Sequence, residues 1–243
     1  MISDRIKTGI IGLDEKIQGG LIKGSVNFVT GKTGTGKTAF CASFLYAGVI
    51  AGEKGLYITT EEREEDIKKD IKSMFNWDFE QFEKNGLIKF LSIKPDIPTK
   101  MITGEDVSKI VKLYMYELAS QIENAIKQFK AQRIVVDSVS LVELFIRDEY
   151  LRKIALMQLI DRLKELNVTV LLTGAVPEGQ EVLSTTGIIE FLTDSVIKLD
   201  FVPVAEEFKR TLTVGKMRRT DHSILIHPFE ITKEGVRIIE ITE

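Results

Sequence analysis

A glycine-rich run near the start of the chain has the spacing of a phosphate-binding loop. Residues 31–38 read G-K-T-G-T-G-K-T, which matches the pattern G-x-x-x-x-G-K-[ST]. Glycines let backbone amides point inward at an anion, and a helix that begins here adds a favourable dipole. Lys37 is expected to reach the terminal phosphates of a nucleotide, and Thr38 to ligate Mg²⁺. The predicted nucleotide contacts in this loop are Thr33, Gly34, Thr35, Gly36, Lys37 and Thr38.

An apolar run that ends in an acid supplies a second element of such a site. Residues 133–137 read R-I-V-V-D, so Asp137 closes a predicted strand. An aspartate in this position holds Mg²⁺ in phosphate-loop proteins, here expected to act through water. Taken alone, Asp137 is more simply explained as a turn cap, but after a phosphate-binding loop the metal role is favoured. We therefore predict Thr38 and Asp137 as metal ligands.

Two adjacent carboxylates follow another apolar run. Glu61 and Glu62 come directly after residues 56–60, at the end of a predicted strand, where ligands bind in open α/β sheets. Because the two charges repel, one of them is expected to have a raised pKa that suits a general base. The acidic run continues over 64–66, so a solvated helix start explains the pair equally well by itself. With Lys37 they form the predicted catalytic set, and the principal base of the two stays open.

The elements that must position these residues alternate along the chain. Short β-branched or aromatic runs predict strands at Ser25–Thr30, Gly55–Thr60, Ile88–Leu91, Arg133–Asp137 and Val168–Thr173. Helical spacing predicts helices at Thr38–Ala51, Glu64–Met74, Glu105–Phe129 and Tyr150–Leu166. This alternation predicts an α/β fold with a mostly parallel twisted sheet flanked by helices. Ser195–Leu199, Thr211–Lys216 and Val236–Ile241 predict a short antiparallel C-terminal β extension.

Composition narrows the class of protein. The 243 residues contain no Gly/Ser-rich linker, so residues 1–243 are predicted to form one domain. A net charge of −3 argues against a strongly nucleic-acid-binding surface. Its single cysteine, Cys41, allows no internal disulfide, which fits a reducing cytoplasm. The longest uncharged apolar stretch, 39–51, is too short to cross a bilayer, so no membrane association is expected.

Taken together, these segments resemble the KaiC-like branch of the RecA superfamily, which includes archaeal KaiC homologues and RadA paralogues. The resemblance rests on the ordered segments Thr8–Asp14, Gly19–Leu21, the phosphate-binding loop, Thr60–Glu62, Trp77–Asp78, Lys216–His222, Pro228–Ile231 and Gly235–Val236. It covers nearly the whole chain. It implies a RecA-like P-loop domain that binds ATP and Mg²⁺ and hydrolyses ATP slowly.

The resemblance also implies a homo-oligomeric ring, usually a hexamer, with ATP between neighbouring subunits. The basic segment would then reach the next subunit's nucleotide through Lys216, Met217, Arg218, Thr220 and His222. Ser73 is expected near the base of the nucleotide. Without the resemblance, the basic segment is better explained as a solvated strand. With it, the intersubunit role is favoured because guanidinium groups suit phosphate recognition.

Three departures from KaiC are visible in the sequence. KaiC carries two such domains in tandem, whereas this chain carries one. The pair Glu190-Phe191 stands where the phosphorylated half of KaiC has Ser-Thr, so autophosphorylation there is not expected. The pair Thr173-Gly174 replaces Thr-Glu at the end of the corresponding strand.

Two other functions stay open beside slow ATP hydrolysis. One is a RadA-paralogue accessory factor in recombination or repair that binds single-stranded DNA or a recombinase. The candidate DNA loops, Leu144–Arg152 and Ala175–Ile188, carry few cations, so only weak single-strand binding is expected. The other is a nucleotide-gated scaffold that holds ATP between subunits with negligible turnover.

Overall fold

A mixed sheet organises the chain in the computed structural model, which describes residues 4–93, 106–140, 142, 146, 148–176, 183–184 and 187–240. The strands are β1 (Arg5–Ile6), β2 (Leu21–Ile22), β3 (Val26–Gly31), β4 (Gly55–Thr59), β5 (Ile88–Ser92), β6 (Arg133–Asp137), β7 (Thr169–Ala175), β8 (Ser195–Val204), β9 (Glu207–Met217), β10 (His227–Thr232) and β11 (Gly235–Ile238). The helices are α1 (Lys37–Ile50), α2 (Glu64–Met74), α3 (Phe79–Lys84), α4 (Asp106–Phe129), α5 (Glu149–Glu165) and α6 (Ile189–Leu192), with a 3₁₀ helix at Asp14–Ile17.

The strand order in the main sheet is β11-β10-β9-β8-β3-β7-β6-β4-β5. Strands β8, β3, β7, β6, β4 and β5 pair in parallel, and β9, β10 and β11 continue the sheet antiparallel beyond β8. Strands β1 and β2 form a separate antiparallel pair. The predicted parallel sheet with an antiparallel C-terminal extension is confirmed. The carboxyl ends of the parallel strands meet at one edge, which is where ligands bind in this architecture.

Alternate residues of the central strands feed two apolar cores on opposite faces of the sheet. Val135 and Leu171 pack on the face covered by α1 and α2, whereas Val136 and Leu172 pack on the face covered by α4 and α5. Because side chains alternate across a strand, strands covered by helices on both faces are apolar throughout. This explains the near-continuous apolar runs that predicted the strands.

Most predicted boundaries lie within one or two residues of those observed, with β6 and α2 identical. The antiparallel strands β8 and β9 extend further than predicted and form a hairpin arm over residues 200–210. Helix α3 was not predicted; the side chain of Asp78 caps it by accepting a hydrogen bond from the amide of Gln81 at 3.0 Å. Residues 144, 145 and 147 of the first candidate DNA loop, and residues 177–182, 185 and 186 of the second, lie outside the described residues.

Among helices in the described part of the chain, none has both the length and the apolar character needed to cross a bilayer.

Candidate nucleotide-binding site

The phosphate-binding loop joins β3 to α1, as its sequence predicts. Gly34 and Gly36 adopt left-handed φ values of 80° and 109°, which a residue with a Cβ rarely adopts. Gly36 precedes the first residue of α1, so the amides at the start of this helix, which have no partner within the helix, lie at the end of the loop. The buried Thr35 hydroxyl donates to the carbonyl of Lys32 at 2.8 Å and fixes the loop from inside.

The ammonium group of Lys37 lies against this loop. It donates hydrogen bonds to the carbonyl oxygens of Gly31 at 2.7 Å and Lys32 at 2.9 Å. Burial lowers the pKa of Lys37, and the negative charges of Asp137 and Glu61 oppose that shift. A partly desolvated cation beside the N-terminus of a helix is suited to bind phosphate oxygens.

Asp137 is held in position by hydroxyl groups on the two strands that flank β6. Tyr57 of β4 donates to its Oδ2, and Thr173 of β7 donates to its Oδ1. Complete burial raises the pKa of Tyr57 well above its usual range, so its hydroxyl remains protonated and a donor. A carboxylate with two oxygens has about four acceptor positions, so these two bonds leave lone pairs free for a further ligand.

The two glutamates after β4 have different surroundings. Oε1 of Glu61 accepts a hydrogen bond of 2.5 Å from the hydroxyl of Ser138, which follows Asp137. Burial raises the pKa of Glu62, and the nearby charges of Asp137 and Asp70 raise it further. The pKa of Glu62 is thus raised mainly by burial, and the charge of Glu61, from which the sequence predicted a raised pKa, contributes less.

A cleft of about 510 Å³ brings these groups together. Predicted site residues that line it are Thr33, Gly34, Gly36, Lys37, Thr38, Glu61, Glu62, Ser73 and Asp137. Two other clefts, of about 530 and 580 Å³, lie along α4 and α5. Their linings contain no residue of the phosphate-binding loop.

Comparison with known proteins agrees with this geometry. The family model for the KaiC ATPase matches residues 6–243. The chain belongs to the KaiC ATPase family. Its membership confirms the resemblance seen in the sequence and supports ATP binding in general terms.

Relatives of the KaiC family fall into two lengths. A UPF0273 protein of Thermotoga maritima is 36% identical over 239 residues, covering 96% of this chain and 95% of the relative. The circadian clock protein KaiC3 of Synechocystis is 31% identical over 240 residues, which are 98% of this chain but 46% of that protein. The chain therefore spans about half the length of the clock proteins that it matches.

A solved structure supports the KaiC fold independently. The crystal structure of a KaiC-like protein from Pyrococcus horikoshii matches with a TM-score of 0.80 and 35% identity. The match covers 98% of this chain and 100% of that one. The RecA-like fold predicted from the sequence is confirmed.

The basic segment that resembles the intersubunit contact of KaiC does not line the chain's own cleft. The ammonium group of Lys216 donates to the carbonyl oxygens of Glu190 at 2.6 Å and Thr193 at 2.7 Å. The guanidinium group of Arg218 donates to the carbonyl of Phe191 at 2.9 Å. Burial and the charge of Arg218 lower the pKa of Lys216.

Other residues of this segment differ in exposure. Met217 is 7% exposed and packs into the core. The hydroxyl of Thr220 donates to the carbonyl of Arg218 at 3.1 Å. Nδ1 of His222 lies 3.0 Å from the carbonyl oxygen of Ser223.

Sequence analysis missed several residues that line the cleft, among them the positively charged Arg210 on β9. Its Nη2 lies 3.5 Å from the carbonyl oxygen of Gly34, and its guanidinium carbon lies 5.3 Å from the ring centre of Phe201. Its Nε is buried and has no hydrogen-bond partner among the described residues. No motif marks this arginine; the pairing of β9 with β8, and of β8 with β3, brings it to the loop.

The structure explains one departure from KaiC. A Cβ on Gly174 would lie 2.6 Å from Cζ of Phe28, so the Phe28 ring fills the space a side chain would need.

Trp77 stacks between Tyr46 and Phe75 with ring centres 4.1 Å apart in each pair. Trp77 is therefore part of the core.

Proposed function

We propose that this protein is a slow Mg²⁺-dependent ATPase whose nucleotide lies between subunits of a ring. The observation that carries the proposal is the convergence of Lys37, Asp137, Glu61 and Glu62 on one cleft at the carboxyl edge of the sheet. Lys37 begins α1, Asp137 ends β6, and Glu61 and Glu62 follow β4, while Thr173 of β7 holds Asp137 in position. Phosphoryl transfer depends mainly on positioning and on stabilising charge, and this cleft supplies both.

The residues that line the cleft suit an Mg²⁺ ion that is bound jointly by protein and substrate, not a metal ion held by protein side chains alone. Among the described residues, no group of three or more His, Cys, Asp or Glu side chains could hold a metal. Mg²⁺ is usually bound by one or two protein oxygens together with substrate phosphates and water. Thr38 and Asp137, both in the cleft, would hold it. When bound, Mg²⁺ neutralises negative charge on the phosphates.

Glu62 is the better candidate for the base. Its raised pKa lies nearer to neutrality than that of an ordinary glutamate, which favours proton transfer. Attack of water on the γ-phosphorus breaks the bond to the β–γ bridging oxygen, and the water proton passes to Glu62. Glu61, oriented by Ser138, would position the water. Lys37 would stabilise charge on the transferred group.

Charge and exposure favour head-to-tail assembly into a ring. The cleft presents the carboxyl groups of Glu61, Glu62 and Asp70, whereas Lys216 and Arg218 lie elsewhere on the chain. Opposite charges on separate surfaces of one subunit favour a heterologous contact, which generates a ring when it closes. Lys216 and Arg218 would then reach the neighbour's phosphates.

An apolar run that follows the basic segment in the sequence supports the same assembly. Ile224, Leu225 and Ile226 are 84%, 65% and 60% exposed. Contiguous exposed apolar side chains often mark protein–protein contacts. By the family resemblance, the proposed ring is a hexamer. We further propose that residues 1–243 form a single ATPase domain and that the protein acts in the cytoplasm.

The decisive experiment compares two lysines of the same loop. Lys37→Ala should abolish Mg²⁺-dependent phosphate release, because its ammonium group faces the cleft. Lys32→Ala is the matched control, since its ammonium group lies 3.7 Å from Asp200 and does not line the cleft. Steady turnover by the Lys37→Ala protein would refute the proposal.

Single-turnover measurements separate an ATPase from a scaffold. The double variant Glu61→Gln/Glu62→Gln should bind ATP and assemble but release no phosphate. If wild-type protein assembles with ATP yet releases no more phosphate than this variant, the scaffold function is correct. A rate that rises with single-stranded DNA at low salt would instead favour the recombination factor.

A further inference from the structure

The guanidinium group of Arg5 joins two distant parts of the chain. Its Nη1 donates to the carbonyl oxygens of Ile17 at 2.9 Å and Gly20 at 2.8 Å. Its Nη2 donates to the hydroxyl of Thr220 at 2.9 Å and to the carbonyl of Arg219 at 3.4 Å. One side chain thus connects the N-terminal segment to the basic segment, residues 216–222, which begins at the end of β9.

The N-terminal half of this contact is closely packed. Arg5 lies on β1, which pairs with β2 through Arg5–Ile22 and Ile6–Leu21. Between them, Gly20 has a φ of 130°, and a Cβ there would lie 2.1 Å from the carbonyl oxygen of Ile6. Only glycine fits this close approach, which places the Gly20 carbonyl against Nη1 of Arg5.

The C-terminal half of this contact, around Arg219 and Thr220, contains a turn. Arg219 has a left-handed φ of 54°, which is unfavourable for a residue with a Cβ unless its surroundings hold it there. Arg5 bonds to the carbonyl of that residue and to the side chain of the next. The amide of Ser223 also donates to the carbonyl of Lys16 at 2.9 Å. The turn is therefore fixed from the N-terminal side at two points.

The bonding of Thr220 assigns it a role in this turn. Its hydroxyl accepts from Arg5 and donates its one proton to the carbonyl of Arg218. The oxygen therefore links Arg5 to the backbone of Arg218. Arg218 is one of the two cations that, in the proposed function, contact the phosphates of the neighbouring subunit's ATP.

We propose that Arg5 and Thr220 form a clasp that positions Arg218 for the neighbouring subunit's nucleotide. This inference rests on the proposed intersubunit ATP site. Arg5 is a positioning residue that acts through Thr220 and touches no nucleotide. A planar guanidinium has donors on both sides and spans the two segments, whereas the ammonium of lysine cannot hold both.

An experiment that mixes two variant proteins tests whether the substitution Arg5→Ala impairs the contact between subunits. Arg5→Ala is expected to lower kcat about tenfold, because small misplacements of a charged group weaken transition-state stabilisation. Its partner is the Glu61→Gln/Glu62→Gln protein, which hydrolyses nothing but keeps an intact basic segment. In an equal mixture, about a quarter of the wild-type rate per subunit should return, since half of the Arg5→Ala clefts gain an intact neighbour.

Three further variants make this result specific. Arg162→Ala, which removes a guanidinium paired with Glu123 on the other side of the sheet, is the control and should keep the wild-type rate. Thr220→Val removes the hydroxyl while keeping the shape, and should reduce kcat as Arg5→Ala does. If the two residues act as one clasp, the double variant is no slower than either single variant. A multiplied loss, or a mixture that recovers no activity, would overturn the clasp.

Hydrogen exchange separates failure of the clasp from failure of the proposed function. Amides of residues 218–223 should exchange about tenfold faster in Arg5→Ala than in the wild type, whereas those of α1 should not change. Unchanged exchange over 218–223 refutes the clasp whatever the ATPase rate. Faster exchange in a protein that hydrolyses no ATP supports the clasp and refutes the proposed function alone.

Discussion

Thr173 on β7 donates a hydrogen bond to Oδ1 of Asp137 on the adjacent strand β6. This contact fixes the carboxylate that would hold Mg²⁺, because it orients the oxygen atoms at the cleft. A partner that orients a metal ligand typically contributes a factor of ten or more to metal affinity.

Thr173→Val is therefore expected to raise the Mg²⁺ concentration that gives half-maximal ATPase activity by about tenfold. Thr173→Ser keeps the hydroxyl and should stay close to wild type. Magnesium titration of the initial rate, with ATP in excess, measures the difference. Equal magnesium dependence of the valine and serine variants would show that the bond has no role in metal binding.

The raised pKa of Glu62 predicts the acidic side of the pH profile. A general base acts only when it is deprotonated, so raising its pKa moves the loss of activity to higher pH. The rate should fall with decreasing pH through an apparent pKa above the ordinary value for glutamate. Glu62→Gln should lower kcat at least a hundredfold and abolish this dependence.

Glu61→Gln is the comparison, since it removes the neighbouring charge but leaves Glu62. It should lower kcat less than Glu62→Gln does. It should also shift the acidic limb to lower pH, because the charge of Glu61 contributes to the raised pKa of Glu62. A smaller loss for Glu62→Gln than for Glu61→Gln would reverse the two assignments.

Arg210 is expected to bind the nucleotide within its own subunit. It lines the cleft beside Gly34, and a hydrogen bond to a charged group typically contributes about tenfold in affinity. Arg210→Ala should raise KM for ATP about tenfold with little change in kcat. Lys209→Ala, at an exposed residue paired with Glu207, is the control for loss of positive charge on the same strand. An unchanged KM would remove Arg210 from the site.

Gly174 should tolerate no side chain while Phe28 is present. A Cβ would lie 2.6 Å from the Phe28 ring, so Gly174→Ala is expected to lower the free energy of unfolding by about 2 kcal/mol. Gly215→Ala is the control, because a Cβ there meets its nearest atom at 3.7 Å. Urea unfolding measures both.

Coupling between the two positions tests the cause. With Phe28→Leu in the background, the loss from Gly174→Ala should shrink, because the ring that causes the clash is gone. An undiminished loss would show that steric contact with Phe28 does not explain the glycine.

Much of the site could be predicted because its parts are local. The phosphate-binding loop depends on eight consecutive residues whose glycines and following helix set the conformation, and Gly34, Gly36 and Lys37 all line the cleft. The short apolar runs also predicted β4 and β6, since burial on both faces leaves a continuous pattern. Asp137, Glu61 and Glu62 therefore lie at the strand ends that the sequence indicates.

Strand order could not be predicted in the same way. The sheet places β7 between β3 and β6, so Thr173 contacts Asp137, although 36 residues separate them. Likewise, pairing of β8 with both β3 and β9 brings Arg210 to the loop. Periodicity in one segment carries no information about which other segment lies beside it.

The burial of Arg133 is another feature that the sequence could not predict. The sequence places Arg133 at the start of a strand, and nothing there indicates that its side chain is 2% exposed. The structure shows its guanidinium bonded to Glu53 and to the carbonyl oxygens of Lys7 and Phe44. A charge can be buried only where such partners converge, and that depends on packing.

By itself, then, the sequence determined the fold class, the phosphate-binding loop and the acids at the strand ends, because each follows from neighbouring residues. Tertiary structure decided which hydroxyls hold Asp137, which arginine joins the cleft, and that Arg5 meets Thr220. Those contacts join residues far apart in the chain, and only the packing of strands and helices brings them together.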